Sequence, residues 1–151
     1  MKEEIIKLEI EDFEKCNNIW DMERQKEIAR QCYRELLEGN RTTYIYTLDG
    51  EYIAEINLVT EMDDPDYTIP GRRIYVSRLI VKEGFRRRGI GRKLLDFAVA
   101  TAQEAGYTEL SIGVDLDNYA ALMLYIGAGF DRVIFIGEDE YGRFVKLLKA
   151  V

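Results

Sequence analysis

The sequence predicts an α/β protein in which a mixed central β-sheet carries helices on both faces. Alternating apolar residues indicate strands and apolar residues at helical spacing indicate helices, in the order β, α, ββ, β, α, β, α, ββ. Hairpins join some strands and helices join others, which excludes an all-parallel sheet. The length of 151 residues fits one domain, so we expect residues 1–151 to form a single domain.

The chain begins with a predicted strand and a helical segment. Ile6, Leu8 and Ile10 alternate with charged residues, which is typical of a half-buried strand. Apolar residues then recur at helical spacing over residues 12–37, as one bent helix or as two short ones. Gly39 follows this segment, and glycine commonly ends a helix.

A β-hairpin and a loop are predicted next. Strands over Thr43–Thr47 and Tyr52–Val59 flank the pair Asp49-Gly50, and an Asp-Gly pair favours a tight hairpin turn. Residues 60–72 contain both prolines of the chain and are predicted to form a loop.

The second half of the chain is predicted to alternate strands and helices. Arg73–Val81 is rich in β-branched and aromatic residues, which indicates a central strand. Gly91–Ala105 has one apolar face, which indicates a helix ended by Gly106. The last elements are a strand, a short helix and a hairpin, predicted over Glu109–Val114, Asn118–Ile126, and Phe130–Ile136 with Arg143–Leu148.

The composition excludes several kinds of active site. The chain has no histidine, which rules out a Ser-His-Asp triad, a Cys-His dyad and every metal site that needs histidine. Cys16 and Cys32 are too few for a four-thiolate zinc site or a disulfide framework, so we expect buried thiols and no metal. No apolar stretch has the length of a signal peptide or a membrane span, and a cytoplasmic protein is the default expectation.

Charge is distributed unevenly along the chain. The net charge of −7 argues against a protein that coats nucleic acid or an anionic membrane. Residues 72–93 nevertheless contain nine basic residues and a single acid, Glu83. This segment is therefore either an anion-binding site or a solvated basic surface.

A turn rich in glycine and arginine joins the predicted central strand to the following helix. Gly89 and Gly91 let the backbone approach a ligand closely, and the first N–H groups of a helix are unpaired and positively polarised. Such a turn suits a phosphate. The spacing does not fit a P-loop, because Ile90 stands in the place of lysine, and a Rossmann motif is disfavoured because its third glycine is missing.

Two motifs carry a family resemblance. The first is Leu79-Ile80-Val81 followed by Arg86-Arg87-Arg88-Gly89-Ile90-Gly91, and the second consists of Asn118, Ala121, Leu124-Tyr125 and Gly129-Phe130. Over about residues 79–130 the chain resembles the GCN5-related N-acetyltransferases, and the order of its elements extends the resemblance to the whole chain. The resemblance implies that family's mixed, mostly antiparallel sheet.

The same resemblance implies acetyl-CoA as the co-substrate. The backbone of residues 87–92 would bind the pyrophosphate, with Arg86 at a position where the family has Gln or Arg. The main chain of Leu79 and Val81 would bond the pantetheine arm, and Asn118 would contact this arm from the other side. The residues implied to bind the cofactor are Leu79, Ile80, Val81, Arg86, Arg87, Arg88, Gly89, Ile90, Gly91, Arg92 and Asn118.

Transfer of an acetyl group from a thioester to an amine requires a proton for the departing thiolate and donors for the developing oxyanion. The resemblance places Tyr125 in the first role, and a phenol is protonated at neutral pH. Main-chain N–H groups near Leu79–Val81 are expected in the second role. The base stays open, because some relatives carry a glutamate where this chain has Gly113. The candidates are an ordered water and the carboxylates Glu55, Glu61 and Asp115.

The sequence therefore predicts an N-acetyltransferase that acts on a primary amine. A peptide N-terminus, a lysine, a polyamine, an aminoglycoside and a small metabolite all fit. Acids of the loop either bind an ammonium group or only solubilise the loop; they are Glu61, Asp63, Asp64 and Asp66. Tyr67 and Trp20 offer cation–π contacts, although nothing in the sequence orients them.

Two other functions stay open at this point. One is a non-catalytic sensor of acyl-CoA, and the other is a nucleic-acid-binding module that uses Arg72–Lys93. The basic segment contains only two aromatic residues for base stacking, Tyr75 and Phe85, so neither nucleic acid nor a membrane is the expected partner. A homodimer stays open.

Overall fold

The structure is a computed structural model and describes residues 1–151. It contains seven strands, one 3-10 helix and three α-helices. The strands are β1 (Glu3–Lys7), β2 (Arg41–Leu48), β3 (Glu51–Val59), β4 (Arg73–Val81), β5 (Glu109–Asp115), β6 (Arg132–Asp139) and β7 (Gly142–Ala150). The 3-10 helix spans Ile10–Asn18, and the α-helices are α1 (Lys26–Glu38), α2 (Ile90–Glu104) and α3 (Tyr119–Gly127).

All seven strands belong to one sheet, in the order β1-β2-β3-β4-β5-β7-β6. The pairs β1–β2, β5–β7 and β6–β7 are antiparallel, whereas β4 and β5 are parallel. The turn between β2 and β3 has φ values of +50° at Asp49 and +82° at Gly50, which are the left-handed values that a two-residue hairpin turn needs. The predicted mixed, mostly antiparallel sheet is confirmed.

Most predicted elements are found with small shifts at their ends. β4 has the predicted bounds, and the helical segment before the first hairpin divides into two helices. The prediction for the first strand is wrong at its end: β1 stops at Lys7, and Ile10 already begins the 3-10 helix. Leu8, just past the end of β1, is buried in the same core as Phe13. Burial of an apolar side chain therefore continues where the strand has already ended.

The chain packs as two units. The first contains Met1–Leu58 and Arg78–Leu94, and the second contains Val59–Ser77 and Leu95–Val151. β4 and α2 each contribute residues to both units. That residues 1–151 form a single domain stays a prediction.

The core of the first unit gathers apolar side chains from the 3-10 helix, α1, β2 and β3. Phe13, Trp20, Ile45 and the two cysteines belong to it. Both cysteines are free and buried, as predicted from the sequence. Burial raises the pKa of both thiols, so they stay protonated at neutral pH.

A hydrogen-bond network is buried in this unit. Trp20 Nε1 donates to Glu55 Oε1 at 2.6 Å, and Asn57 Nδ2 donates to Glu55 Oε2 at 2.7 Å. Thr43 Oγ1 donates to Asn57 Oδ1 at 2.6 Å, and the guanidinium of Arg78 lies 4.5 Å from the centre of the Trp20 ring. Both oxygens of the Glu55 carboxylate therefore have donors, as a buried carboxylate requires.

Replacement of Trp20 by Phe is expected to lower the free energy of unfolding by about 1–3 kcal/mol. Phe keeps an aromatic ring but removes the indole N–H, which leaves one oxygen of the buried Glu55 carboxylate without its donor. Urea unfolding of the two proteins measures the difference. Tyr33→Phe, at a residue that is 41% exposed, is the control and should change stability by less than about 0.5 kcal/mol. Equal effects at both positions would contradict a stabilising role of the Trp20–Glu55 hydrogen bond.

Candidate active site

The turn between β4 and α2 has an unusual backbone conformation. Its φ values are +92° at Gly84, +65° at Arg87 and +80° at Gly89. Left-handed residues within a turn can direct successive N–H groups toward one side, and such N–H groups form an anion-binding concavity. Ile90 begins α2 directly after this turn, so the unpaired N–H groups of the first helical turn lie next to it. A Cβ atom at Gly89 would meet no other atom within 4 Å, so the space in front of the turn is open.

The arginines of this turn are exposed. The side chain of Arg86 folds back so that its Nε donates to the main-chain oxygen of Val81 at 3.0 Å. The guanidinium of Arg88 lies 5.1 Å from the centre of the Phe85 ring, and Arg87 is exposed. Gly91 and Arg92 lie in the first turn of α2.

Other basic residues of segment 72–93 have partners within the protein. Arg72 and Arg73 both donate to Glu109 Oε1, at 3.1 and 3.0 Å. Lys82 and Lys93 form ion pairs with Glu51 and Glu3, and Arg78 lies against Trp20. Part of the charge that stands out in the sequence is therefore paired with acids outside the turn, whereas Arg86, Arg87 and Arg88 belong to the turn itself.

Leu79, Ile80 and Val81 form the last part of β4, and all three are half-buried. The parallel pairing of β4 with β5 covers Arg73–Val76 opposite Glu109–Ile112. β4 continues for five residues beyond this paired stretch. The three residues predicted from the sequence to contact the cofactor arm lie in this continuation.

The second unit contains a cavity of about 510 Å³. Tyr125, from α3, is among the residues that line it, and only 8% of this residue is exposed. Burial, together with the nearby Tyr75, raises the pKa of Tyr125 to about 12. The hydroxyl of Tyr125 is therefore protonated throughout the neutral range.

Asn118 lies at the start of α3 and lines the same cavity. Its side-chain oxygen accepts a hydrogen bond from the N–H of Ala121 at 3.3 Å, so this residue caps the helix. The second predicted motif thus positions both of its polar residues on one cavity: Asn118 at the first turn of α3 and Tyr125 in its last two turns.

An ion-pair cluster fixes the loop that precedes β4. Lys146 Nζ, from β7, donates to Asp64 Oδ2 at 2.6 Å and to Asp66 Oδ2 at 3.1 Å. The hydrogen bond from Lys146 holds the pKa of Asp64 below its usual value. Nζ of Lys146 also lies 5.0 Å from the ring centre of Tyr67 and 4.6 Å from that of Phe135. Asp64 and Asp66 are therefore occupied, which weakens the prediction that they receive an ammonium group.

Tyr67 is a cavity residue whose place the sequence did not reveal. Its ring centre lies 4.3 Å from that of Tyr75, and its main-chain oxygen accepts from Ser111 Oγ at 2.6 Å. Its hydroxyl oxygen lies 2.5 Å from the point that a Cβ atom at Gly113 would occupy. Gly113 itself was the available signal, because a glycine inside a strand often marks the close approach of another group.

The candidate bases lie in different surroundings. Glu55 is buried in the first unit, and its carboxylate is fully used by Trp20 and Asn57. Asp115 is exposed and lines the cavity of the second unit. Glu61 is exposed in the loop. Of these carboxylates, Asp115 lines the cavity of the second unit, whereas Glu55 does not.

None of the helices has the length and apolar character needed to cross a membrane.

Comparison with known proteins gives one matching family model, described as the acetyltransferase (GNAT) family, over residues 2–130. The chloroplastic GCN5-related N-acetyltransferase 7 of Arabidopsis thaliana is 38% identical over 60 residues, which are 40% of this chain and 22% of that protein. N-acetyltransferase family 8 member 3 of Mus musculus is 27% identical over 131 residues, which cover 83% of this chain and 57% of that protein. The chain thus spans less than two thirds of the length of either relative.

A solved structure has the same fold. The PaiA N-acetyltransferase of Thermoplasma acidophilum, in complex with coenzyme A, superposes with a TM-score of 0.71 at 21% identity, and the match covers 100% of both chains. The family model extends over most of the sequence and includes both motifs up to Phe130. The chain therefore belongs to the GNAT acetyltransferase family.

Proposed function

We propose that the chain is an acetyl-CoA-dependent N-acetyltransferase that transfers the acetyl group to a primary amine. The observation that carries the proposal is the left-handed turn at Arg87 and Gly89 directly before α2, which suits a pyrophosphate. Membership of the GNAT family supports it. The PaiA enzyme of the same fold was solved with coenzyme A bound, which supports the co-substrate.

In this proposal the backbone of residues 87–92 binds the pyrophosphate, and the exposed arginines add charge. The pantetheine arm lies along Leu79-Ile80-Val81 and meets main-chain groups there. Arg86 donates to the main-chain oxygen of Val81 and so orients the end of β4. That oxygen therefore has a hydrogen-bond donor within the protein itself. Asn118, whose side-chain oxygen caps α3, offers its amide N–H groups to the arm.

Acetyl-CoA supplies the acetyl group as a thioester. The amine nitrogen forms a bond to the carbonyl carbon as the C–S bond breaks, and the electron pair of that bond remains on sulfur. Tyr125 gives its hydroxyl proton to this sulfur, and main-chain N–H groups near Leu79–Val81 stabilise the carbonyl oxygen. With a pKa of about 12, the hydroxyl of Tyr125 carries its proton at neutral pH. Solvent then returns a proton to the phenolate.

The amine must react in its neutral form. The chain has no histidine, and Gly113 stands where some relatives carry a glutamate, so we propose that water takes the proton of the amine. Asp115, which is exposed on the cavity, stabilises the ammonium form that arrives from solvent. Transfer then starts from the small neutral fraction of the bound amine.

Coenzyme A is expected to raise the thermal stability of the protein, because it binds only the folded chain. Gly89→Val should remove this effect, since a branched Cβ fills the open space at the turn. Gly50→Val is a matched control, because Gly50 and Gly89 have nearly equal φ values, +82° and +80°, and open space around both. Both changes are expected to lower stability by about 1–3 kcal/mol through backbone strain. Only Gly89→Val should abolish the shift measured with coenzyme A in a thermal unfolding experiment.

Absence of any shift with the unaltered protein at millimolar acetyl-CoA would overturn the proposed function. A tighter complex with an oligonucleotide at physiological salt would favour the nucleic-acid module instead. Binding of acetyl-CoA without thiol release in the presence of a panel of amines would favour the acyl-CoA sensor.

Tyr125→Phe should lower turnover by about 10²–10⁴-fold, because general acid catalysis is typically worth that much, while KM for acetyl-CoA changes little. Release of free thiol with an accepted amine measures both values. Tyr119→Phe, on the same helix at a residue that is 71% exposed, is the control and should leave turnover unchanged. With a pKa of about 12 for Tyr125, the unaltered enzyme should still show no loss of its proton donor at pH 10. Small, equal effects at the two positions would make Tyr125 a packing residue.

A further inference from the structure

Several contacts hold Tyr67 in one position within the second unit. The main chain of its loop is fixed by Ser111 Oγ, which donates to Tyr67 O at 2.6 Å, and by Arg73 Nη1, which donates to Asp66 O at 3.0 Å. Lys146 binds the carboxylates of Asp64 and Asp66 on the same loop. The loop that carries the Tyr67 ring is thereby bonded to residues of β4, β5 and β7.

The hydroxyl of Tyr67 takes the place of a missing side chain on β5. Gly113 is opposite Lys146 in the β5–β7 pairing, so the cation that fixes the loop and the glycine that admits the phenol are cross-strand neighbours. The nearest atoms to a Cβ at Gly113 would be Oη and Cζ of Tyr67, at 2.5 and 3.4 Å. Even an alanine at position 113 would therefore have to displace the Tyr67 hydroxyl.

Tyr67, Tyr75 and Tyr125 line the same cavity as Gly113. The phenol of Tyr67 stays neutral, because burial raises its pKa above the ordinary value. It can neither form an ion pair with an ammonium group nor act as a carboxylate base. What it contributes is bulk and one hydroxyl, at the point of β5 where a side chain would otherwise project.

We propose that Tyr67 determines the specificity of the acceptor site by restricting bulk beside the reacting nitrogen, so that the substrates are unbranched primary amines, with a CH₂ group next to nitrogen, in preference to α-branched ones. Lys146 is the positioning residue that holds Tyr67 through the loop. The inference rests on the proposed function, because it assumes that transfer takes place in the cavity that Tyr125 lines. It names a substrate class that disfavours peptide N-termini other than glycine, because their amino group is on a branched carbon.

The test compares butylamine with sec-butylamine, and the ε-amine of a lysine peptide with the α-amine of an alanine peptide. The two butylamines have similar pKa values. The two peptides are compared per neutral amine, because the pKa is about 10.4 for a lysine side chain and about 8 for an α-amino group. Each pair differs in branching next to nitrogen. The unaltered enzyme should prefer the unbranched member in kcat/KM by about 10-fold or more, the scale on which a tight pocket discriminates against an added methyl group. Tyr67→Ala should reduce the preference to within about 3-fold, with KM for acetyl-CoA unchanged. Tyr141→Ala, at a residue that is 80% exposed, should keep the original preference.

A second set of variants tests the geometry without relying on Tyr67→Ala being folded. Gly113→Ala alone should lower thermal stability. Adding Tyr67→Phe should relieve this loss, because the atom then nearest to the new Cβ is Cζ of residue 67, at an ordinary contact distance of 3.4 Å. Lys146→Met should weaken the preference between amines in the same direction as Tyr67→Ala, and Lys146→Arg should restore it.

The outcomes separate the two proposals. An unaltered enzyme that transfers acetyl groups to branched and unbranched amines equally, or a preference that survives Tyr67→Ala, overturns the inference and leaves the proposed function standing. A Gly113→Ala loss that Tyr67→Phe does not relieve also counts against it. If none of the four amines leads to release of thiol although coenzyme A binds, the proposed function is overturned, and the inference with it.

Discussion

The proposed site depends on a short stretch of backbone that adopts left-handed conformations immediately before a helix. Gly89 reaches φ of +80° without difficulty, but Arg87, at +65°, is in a region that L residues rarely adopt. Strain of this kind persists only where the surroundings fix the chain on both sides. Ile90 and Leu94, which are 4% and 0% exposed, bury the first turn of α2 and so anchor one end. Arg86, bonded to the end of β4, anchors the other.

Local sequence signals predicted most of the fold correctly. The pair Asp49-Gly50 marked the hairpin, and Gly106 marked the end of α2. All three residues have positive φ, which short-range sequence signals for turns and helix ends indicate. β1 was misplaced at its end, since Leu8 and Phe13 pack into one core although only the preceding residues are in a strand. Periodicity reports which side chains are buried, and it does not report where the backbone stops pairing.

The site was predictable only where its residues are close in sequence. Asn118 and Tyr125 belong to one helix and its cap, so their spacing placed both on one cavity. The ion pairs of the basic segment join residues far apart, such as Lys93 and Glu3, 90 positions away, and no local pattern indicates them. The hydrogen bond between Lys146 and Asp64 joins residues 82 positions apart. The position of Tyr67, which depends on this bond, was therefore not predictable either.

Tyr67 belongs to a loop and not to β5, so its position does not depend on the pairing of that strand. A contact residue on a strand cannot move without changing the hydrogen-bond register of its neighbours, whereas loops tolerate insertions and deletions. Because Gly113 has no side chain, the part of the cavity wall beside it comes from Tyr67, in the segment between β3 and β4. If Tyr67 selects the acceptor as proposed, changes of loop length there would alter which amines react while the pairing of β5 with β7 stays intact.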